Sequence, residues 1–396
     1  MSDMFMNLAK QFESEIISWR KHFHENPEIG MELPNTVNFI QKKLEEFNIE
    51  YKVGCNGYSI TGLIGNKNSG KCILIRSDMD ALPVIEQTEL EFKSNNNYMH
   101  ACGHDAHMAI LLGAAKILKL KENELEGSVK LMFQPGEEVF EGAKAMISEG
   151  VLENPKVDSA FGMHVVPTMP NNSVVYGKEF MSSCYGFKIT IKGKGGHGSQ
   201  PENCIDPINT GVHIYLALQE LISRECPPQE LATLTLGQFK SDEACNVIPN
   251  EAVLQGTLRT FSPTTRDLLI NRINEVVQSV SITYRCSADI EVLSNVPALI
   301  CNDELNKKFM SYIYELDKNI KMSEFNHTMG SEDFAYISEK VPTCFMYLGA
   351  GIEDTSKWYV AHNPKVMFND KCLALGSAIY AQCAYQWLKN MSKESL

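Results

Sequence analysis

The sequence predicts an α/β fold of two domains, one of them inserted into the other. A chain of 396 residues is too long for one ordinary hydrophobic core. In the first part of the chain, short apolar segments alternate with amphipathic helical segments, a pattern typical of a largely parallel sheet covered by helices. From residue 184 the predicted order changes to β-α-β-β-α-β, the split βαβ arrangement of ferredoxin-like domains.

The chain begins with two amphipathic helices. One covers residues 7–24, with Leu8, Phe12 and Ile16 on its apolar face, and ends before Pro27. The second starts near Asn35. The segments that follow are predicted as strands at 59–64, 72–76, 128–133 and 159–163, and as helices at 105–119 and 142–149.

The middle of the chain supplies the second domain. Its predicted elements are strand 185–193, helix 206–224, strands 231–239 and 251–260, helix 264–283 and strand 287–293. After Pro297 the first pattern resumes with helix 303–316, strand 343–348 and helix 370–387. We therefore predict a catalytic, metal-binding domain formed by residues 1–183 and 297–396, and an inserted lid or dimerisation domain at 184–296.

Composition excludes several classes of protein. The net charge of −13 argues against a nucleic-acid partner, which would need a basic surface. No apolar run approaches the ~20 residues that span a bilayer, and the first residues lack the features of a secretory signal, so no membrane partner is expected. Twelve cysteines in a large chain without a secretory signal predict reduced thiols, and the absence of a Cys-x-x-Cys pair argues against a closed structural zinc site. These features predict a cytoplasmic protein.

The segment 98–107, Tyr-Met-His-Ala-Cys-Gly-His-Asp-Ala-His, contains the strongest functional signal. Cys102 and His104 are close enough to bind one metal ion or a pair of neighbouring ions, and thiolate and imidazole both suit zinc-like cations. Three further candidate ligands end or follow predicted strands or loops: Glu138, His164 and His362. A single His or Cys is more often a packing residue, but the set as a whole predicts a hydrolytic metal centre. His100 and His107 are weaker candidates, with structural duty favoured for His107.

The adjacent carboxylates Glu137 and Glu138 follow a strand and a constrained Gln-Pro-Gly turn, which disfavours the ordinary interpretation as a solvated pair. Two neighbouring side chains do not easily bind one ion, so we expect Glu138 to bind metal and Glu137 to move a proton. Asp80 follows the strand 72–76 and is expected to accept the free N–H of a metal-bound histidine, although it could also cap a turn. His197 lies in a glycine-rich segment that could approach a ligand or form a plain turn.

These segments together resemble the M20 metallopeptidase/amidohydrolase family, in its aminoacylase/hippurate-hydrolase-like branch. The resemblance covers nearly the whole chain and rests on ordered matches at 20–30, 76–83, 100–107, 133–138, 193–201, 246–249, 330–335 and His362. It implies a metallo-exopeptidase-like catalytic α/β domain interrupted by a smaller lid or dimerisation domain, which agrees with the insertion inferred above.

The resemblance also implies roles for individual residues. The family's two-metal ligand pattern falls on Cys102, His104, Glu138, His164 and His362, and its general base falls on Glu137. His197 and Asn246 match residues that reach the substrate, often across a dimer. Arg259 matches a basic residue thought to hold the substrate carboxylate. A homodimer is therefore expected.

The expected activity is hydrolysis of the amide bond of N-acyl amino acids, such as N-acetyl or N-benzoyl derivatives, with two divalent metal ions. Cys102 stands where many relatives carry a carboxylate, and its thiolate favours soft or borderline metals, which leaves Zn, Mn, Co and Ni open. A dipeptidase or carboxypeptidase of the same family is a close alternative. A non-catalytic protein that binds amino-acid conjugates is a more distant alternative, disfavoured by the intact ligand set and by Glu137.

Overall fold

The computed structural model describes residues 4–66, 70–241, 244–325 and 327–394. The chain divides into two compact units: unit 1 is Met1–Phe180, Ile300–Asn326 and Tyr336–Leu396, and unit 2 is Met181–Leu299 and His327–Ala335. The predicted α/β fold class with a ferredoxin-like insert is confirmed. Unit 2 extends three residues beyond each end of the insert predicted at 184–296, and residues 327–335 group with it rather than with the flanking domain.

Unit 1 combines one large sheet with helices. Up to residue 181 the elements are α1 Met4–Gln11, α2 Glu13–Glu25, α3 Pro34–Glu46, β1 Glu50–Gly54, β2 Ser59–Gly65, β3 Lys71–Asp78, α4 His104–Leu120, β4 Gly127–Gln134, α5 Gly142–Ser148, β5 Ser159–Val166, β6 Ser173–Tyr176 and β7 Glu179–Met181. The single helix predicted over 7–24 is therefore two helices, with the junction at Phe12.

Unit 2 begins with β8 and is followed by the closing elements of unit 1. The elements of the insert are β8 Cys184–Lys192, β9 Gly196–His197, α6 Pro207–Glu220, β10 Ala232–Lys240, β11 Val247–Ile248, β12 Glu251–Thr260, α7 Pro263–Thr283 and β13 Ser287–Val296. The remaining elements are β14 Leu299–Ile300, α8 Asp303–Leu316, β15 Lys321–Glu324, α9 Ala335–Ser338, β16 Thr343–Gly349 and α10 Lys371–Glu394.

The sheet of unit 1 has eight strands in the order β1-β2-β4-β3-β5-β16-β6-β15. Its centre, β4-β3-β5-β16, is parallel. The pair β6-β15 at one edge is also parallel, whereas the pairs β1-β2, β2-β4 and β16-β6 are antiparallel, so the sheet is largely parallel in its centre and mixed toward the edges. The carboxyl ends of β3, β4 and β5 therefore meet at one edge of the sheet, where open α/β sheets place their ligands.

Helix α4 begins near this edge of the sheet and runs through the core of unit 1. Most of its side chains are buried, so apolar residues lie on all of its faces and not on one side only. A Cβ on Gly113 would lie 2.8 Å from Ile16 Cδ1 of α2 and would also clash with Ser377 of α10. The three helices thus approach closely at Gly113, and their packing fixes the position of the first turn of α4.

Unit 2 is an antiparallel sheet in the order β10-β12-β8-β13, with α6 and α7 packed on it. Both helices begin at capped positions: the Asp206 side chain accepts from Ile208 N and Asn209 N, and Ser262 accepts from Thr265 N. Among the described residues of both units, no helix is long and apolar enough to cross a membrane.

Candidate metal centre

The five predicted metal ligands all lie in unit 1 and converge at the carboxyl ends of β3, β4 and β5. Cys102 and His104 stand at the start of α4, and Glu138 lies on the loop after β4. His164 was predicted to follow its strand directly. It lies inside β5 instead, near the end of the strand, because β5 continues to Val166. His362 comes from the loop that precedes α10.

Two backbone features bring the distant segments together. Gly103 has φ +92°, and a Cβ there would lie 2.6 Å from Val165 Cγ2 and 2.9 Å from Phe368 Cε1, so only glycine fits between Cys102 and His104. His362 also has a positive φ, +68°, and its N–H donates to Ala101 O at 2.9 Å. That bond places the His362 loop directly against the Cys102 loop.

Cys102 is the centre of the cluster. Its Sγ lies 3.3 Å from His164 Nε2 and 3.3 Å from His362 Nε2. Glu138 Oε1 lies 3.4 Å from the same His362 nitrogen. Cys102 therefore belongs to two groups whose ligand atoms all lie within 4.8 Å of one another, Cys102-His104-His164 and Cys102-Glu138-His362. A thiolate shared by two groups of this kind suits a bridging position between two cations.

The ring of His104 is held in one orientation by a hydrogen bond. Its Nδ1 lies 2.7 Å from Asp80 O, which can only accept, so Nδ1 carries a proton and Nε2 is the ring nitrogen that remains to face the site. Nε2 is buried and has no hydrogen-bond partner among the described residues. Glu137 Oε2 and Glu138 Oε1 lie 3.9 and 4.0 Å away from it. A buried imidazole nitrogen without a hydrogen-bond partner, close to carboxylates and a thiol, is chemically suited to bind a cation, and the residues present therefore fit a metal site.

The pKa values of the cluster reflect burial and charge. Burial and the neighbouring His107 hold the pKa of His164 well below its ordinary value, so this imidazole is neutral and able to act as a ligand. Burial, together with the charge of Glu138, raises the pKa of the Cys102 thiol. Burial lowers the pKa of His104, but the charge of Asp78 and the hydrogen bonds to Asp80 and Cys102 together outweigh it, and the net shift is upward.

The contacts of Asp80 differ from the prediction. The histidine N–H goes to the backbone carbonyl of Asp80, while the carboxylate Oδ1 lies 3.7 Å from His104 Nδ1. Instead, Oδ1 accepts from Glu137 N at 3.0 Å and Oδ2 accepts from Glu138 N at 3.1 Å. Asp80 therefore orients the ligand histidine through its main chain and fixes both glutamates through its side chain.

Asp78 and His107 form a supporting pair that the sequence did not resolve. Asp78 is fully buried, accepts from Arg76 Nη1 at 2.7 Å, and lies 2.6 Å from His107 Nδ1. His107 Nε2 accepts from Val165 N at 2.9 Å, next to His164. These contacts suit the structural duty expected for His107, although it also belongs to a group with Asp78 and His104 that could hold a metal ion. The alternation of Asp78 and Asp80 at the end of a buried strand was the available signal for Asp78.

The three predicted substrate-binding residues belong to unit 2. His197 and Asn246 are brought together by the small sheet β9-β11, in which Gly198 N donates to Asn246 O at 2.8 Å, and both are exposed. Arg259 on β12 donates through Nη1 to Met329 O at 2.9 Å and to Ser331 Oγ at 2.7 Å. The link from Arg259 to the segment 327–335 was not predicted, although the motif at 330–335 was noted.

Comparison with known proteins gives the family. The family model for peptidase family M20/M25/M40 matches residues 74–386. The chain belongs to this family. It is 37% identical to IAA-amino acid hydrolase ILR1-like 2 of Arabidopsis thaliana, over 96% of this chain and 88% of that protein. It is 35% identical to hippurate hydrolase of Campylobacter jejuni, over 97% of this chain and all of that protein.

A solved structure agrees with this assignment. The Bacillus subtilis YXEP protein, described as a dinuclear metal-binding peptidase of the M20 family, superimposes with a TM-score of 0.81 at 30% identity, over 96% of this chain and 99% of that one. The protein is therefore an M20 hydrolase with groups of side chains able to hold metal ions.

The shared position of Cys102 generates a test. In Cys102→Ser, a harder hydroxyl replaces the thiolate in both ligand groups. Affinity for zinc-like metals should therefore fall by more than about 10-fold, because loss of a residue that only supports a ligand already lowers affinity by about that much. Metal content after dialysis against a weak chelator measures this. Cys226→Ser, at a cysteine of similar partial exposure in unit 2, is the matched control. Equal metal content in both variants would rule out Cys102 as a ligand.

Proposed function

We propose that this M20 hydrolase cleaves the amide bond of N-acyl amino acids, such as N-acetyl or N-benzoyl derivatives, to a carboxylate and a free amino acid. The observation that carries the proposal is the position of Cys102 between two ligand groups, with Glu137 beside them. The proposed ligands of the two metal ions are Cys102, His104, Glu138, His164 and His362. A thiolate among imidazoles favours Zn, Mn, Co or Ni over harder cations.

When bound, two divalent ions would polarise the scissile carbonyl and lower the pKa of water at the site. The side chains divide the remaining work. Glu137 is held through its own N–H by Asp80, and its carboxylate lies 3.9 Å from His104 Nε2, where it would take a proton from the attacking water and return it to the leaving amine. Asp80 also binds His104 through its carbonyl oxygen and Glu138 N through its carboxylate. One residue therefore keeps the proposed ligands and the base Glu137 at a constant separation.

The substrate class follows from the relatives and from Arg259. The two relatives above are named for IAA-amino acid conjugates and for hippurate, which is N-benzoylglycine. Both kinds of molecule join an acyl group to an amino acid whose carboxylate is free. Arg259 donates to the Met329 carbonyl oxygen and the Ser331 hydroxyl oxygen, which are both uncharged. These two contacts do not neutralise its positive charge. We assign Arg259 to the substrate carboxylate, which a guanidinium can grip with two hydrogen bonds.

His197 and Asn246 are assigned to substrate binding from the same or a partner chain. A homodimer through unit 2 is supported by its exposed apolar side chains. On α6 the exposed side chains are Ile208, Val212, Tyr215 and Leu216, at helical spacing on one face. The neighbouring β10 is an edge strand of its sheet, which leaves one side open to pairing. All twelve cysteines are free, which favours the reducing cytoplasm.

A substrate panel tests the proposal directly. After removal of metals and reconstitution with Zn, Mn, Co or Ni, release of free amine should be measured from N-acetyl amino acids, N-benzoyl amino acids, dipeptides and the corresponding amides. We expect turnover of the N-acyl amino acids, loss of turnover in the metal-free protein, and poor turnover of the amides, which lack the carboxylate. Preferential cleavage of dipeptides would instead favour a dipeptidase or carboxypeptidase. Binding without turnover of any compound would contradict an enzymatic role.

The neighbouring glutamates should separate chemistry from metal binding. Glu137→Gln should keep its metals and lose activity by at least ~10²-fold, the usual contribution of a general base. Glu138→Gln should lose metal, because an amide oxygen is a weaker ligand than a carboxylate. The two variants control for each other, since each removes one charge from adjacent positions of one loop. Identical metal content in the two proteins would show that this division of roles is wrong.

A further inference from the structure

Helix α2 presents two basic side chains to the same buried carboxylate. Arg20 and His24 are four residues apart, on one face of the helix, and both are buried. Arg20 Nε donates to Asp105 Oδ2 at 3.1 Å, and His24 Nδ1 lies 2.9 Å from the same oxygen. Asp105 follows His104 directly in the first turn of α4. The basic face of α2 therefore holds the turn that carries a proposed metal ligand.

His24 is a cation in this arrangement. Its two ring nitrogens face carboxylate oxygens, Asp105 Oδ2 at 2.9 Å and Glu86 Oε1 at 3.3 Å, so both nitrogens donate and the ring carries two protons. Burial lowers the pKa of His24, but the hydrogen bond to Asp105 and its charge raise the pKa to about 9. The buried charge of Asp105 is thus compensated by two cations, as buried ionic groups require.

Arg20 has a second arm that reaches the other half of the cluster. Its Nη1 donates to Phe368 O at 2.9 Å and to the carboxylate of Asp370. These residues follow His362 on the same loop, before α10. The Phe368 ring borders Gly103, where it occupies the space that a Cβ would need. One guanidinium therefore joins the turn after His104 to the segment after His362.

We propose that Arg20 is a positioning residue of the metal centre, which sets the separation of His104 from His362 by holding Asp105 and the 368–370 segment on one guanidinium. The inference rests on the proposed function in taking these two histidines as ligands. The planar guanidinium donates in fixed directions from Nε and from Nη1, whereas an ammonium on a flexible stem would not keep the two partners at a constant distance. Metal ligands tolerate distance errors of only about 0.2 Å, so the spacing matters for affinity.

General tethering of the two helices is the alternative explanation, and the chain contains a control for it. Glu15 of α2 pairs with Lys116 of α4 at 2.8 Å, at the opposite end of the same pair of helices. This ion pair is partly exposed and contacts none of the proposed ligands. Glu15→Gln therefore removes a link between α2 and α4 without touching the arm toward Phe368 and Asp370.

The experiment compares Arg20→Lys, Asp370→Asn and Glu15→Gln with the unaltered protein. Each metal-free protein is titrated with Zn²⁺ or Mn²⁺ by calorimetry, and the dissociation constants of both binding steps and the thermal midpoint without metal are recorded. Asp370 is partly exposed, so Asp370→Asn removes the charged partner of Nη1 with little risk to folding, while the bond from Nη1 to Phe368 O remains. It decides the question if Arg20→Lys does not fold.

We expect Arg20→Lys and Asp370→Asn to weaken at least one metal-binding step by about 10–100-fold, the effect usual for a partner behind a ligand. Glu15→Gln should leave both steps unchanged, even if its thermal midpoint falls. Metal affinities equal to those of the unaltered protein in both test variants would overturn the inference. So would an equal loss of affinity in Glu15→Gln, which would reduce Arg20 to a general tether.

The outcomes also separate this inference from the proposed function. If the unaltered protein binds two metals but releases no amine from N-acyl amino acids, the proposed function fails and the role of Arg20 stands on the titrations alone. If the unaltered protein hydrolyses these substrates and the test variants bind metal normally, only the inference fails.

Discussion

The constraint on which the site in unit 1 depends is the burial of several carboxylates around one nitrogen, His104 Nε2. Asp78, Glu137 and Glu138 each place a carboxylate oxygen within 4.0 Å of His104 Nε2. Burial of such groups is costly unless positive charge accompanies them. Arg76 compensates the charge of Asp78, to which His107 also donates a hydrogen bond, and His362 Nε2 lies 3.4 Å from the carboxylate of Glu138. The same carboxylates belong to groups of side chains that could hold a metal ion.

The scaffold explains how such a cluster is assembled from distant parts of the chain. The parallel strands β3, β4 and β5 end at the same edge, so the loops that follow them meet without long excursions. Helix α4 starts at this edge and is fixed by close packing at Gly113. Supporting groups then act through the backbone as much as through side chains, as the bonds from Asp80 to both glutamates illustrate.

Several features could be predicted because they are local. Helix α8, Asp303–Leu316, has the predicted bounds, since its apolar periodicity begins beside the capping residue Asn302. The candidate ligands were recognisable because thiol, imidazole and carboxylate side chains fell at predicted element ends. Short exposed strands such as β1 and β15 escaped prediction, because an exposed strand lacks a pattern of buried residues. The extension of β5 to Val166 was missed because the predicted strand ended before the candidate ligand His164.

Other features depend on contacts between residues far apart in sequence. The bond from Arg20 to Phe368 O joins positions separated by 348 residues, and no local pattern encodes it. The use of the Asp80 carbonyl rather than its carboxylate depends on the direction of one turn. The positive φ of His362 also has no local sequence signal, because it follows from the bond between His362 N and Ala101 O. Such details need coordinates.

The most direct test of the account is a crystal structure of the protein loaded with Zn²⁺ or Mn²⁺, with anomalous diffraction recorded at the absorption edge of the metal. The account predicts two anomalous peaks, one on each side of Cys102 Sγ, with a zinc–sulfur distance of about 2.3 Å. The imidazoles of His104, His164 and His362 and the carboxylate of Glu138 should complete the two sites. A single peak, or peaks that do not contact Cys102, would contradict the central claim that this thiolate is shared by two metal ions.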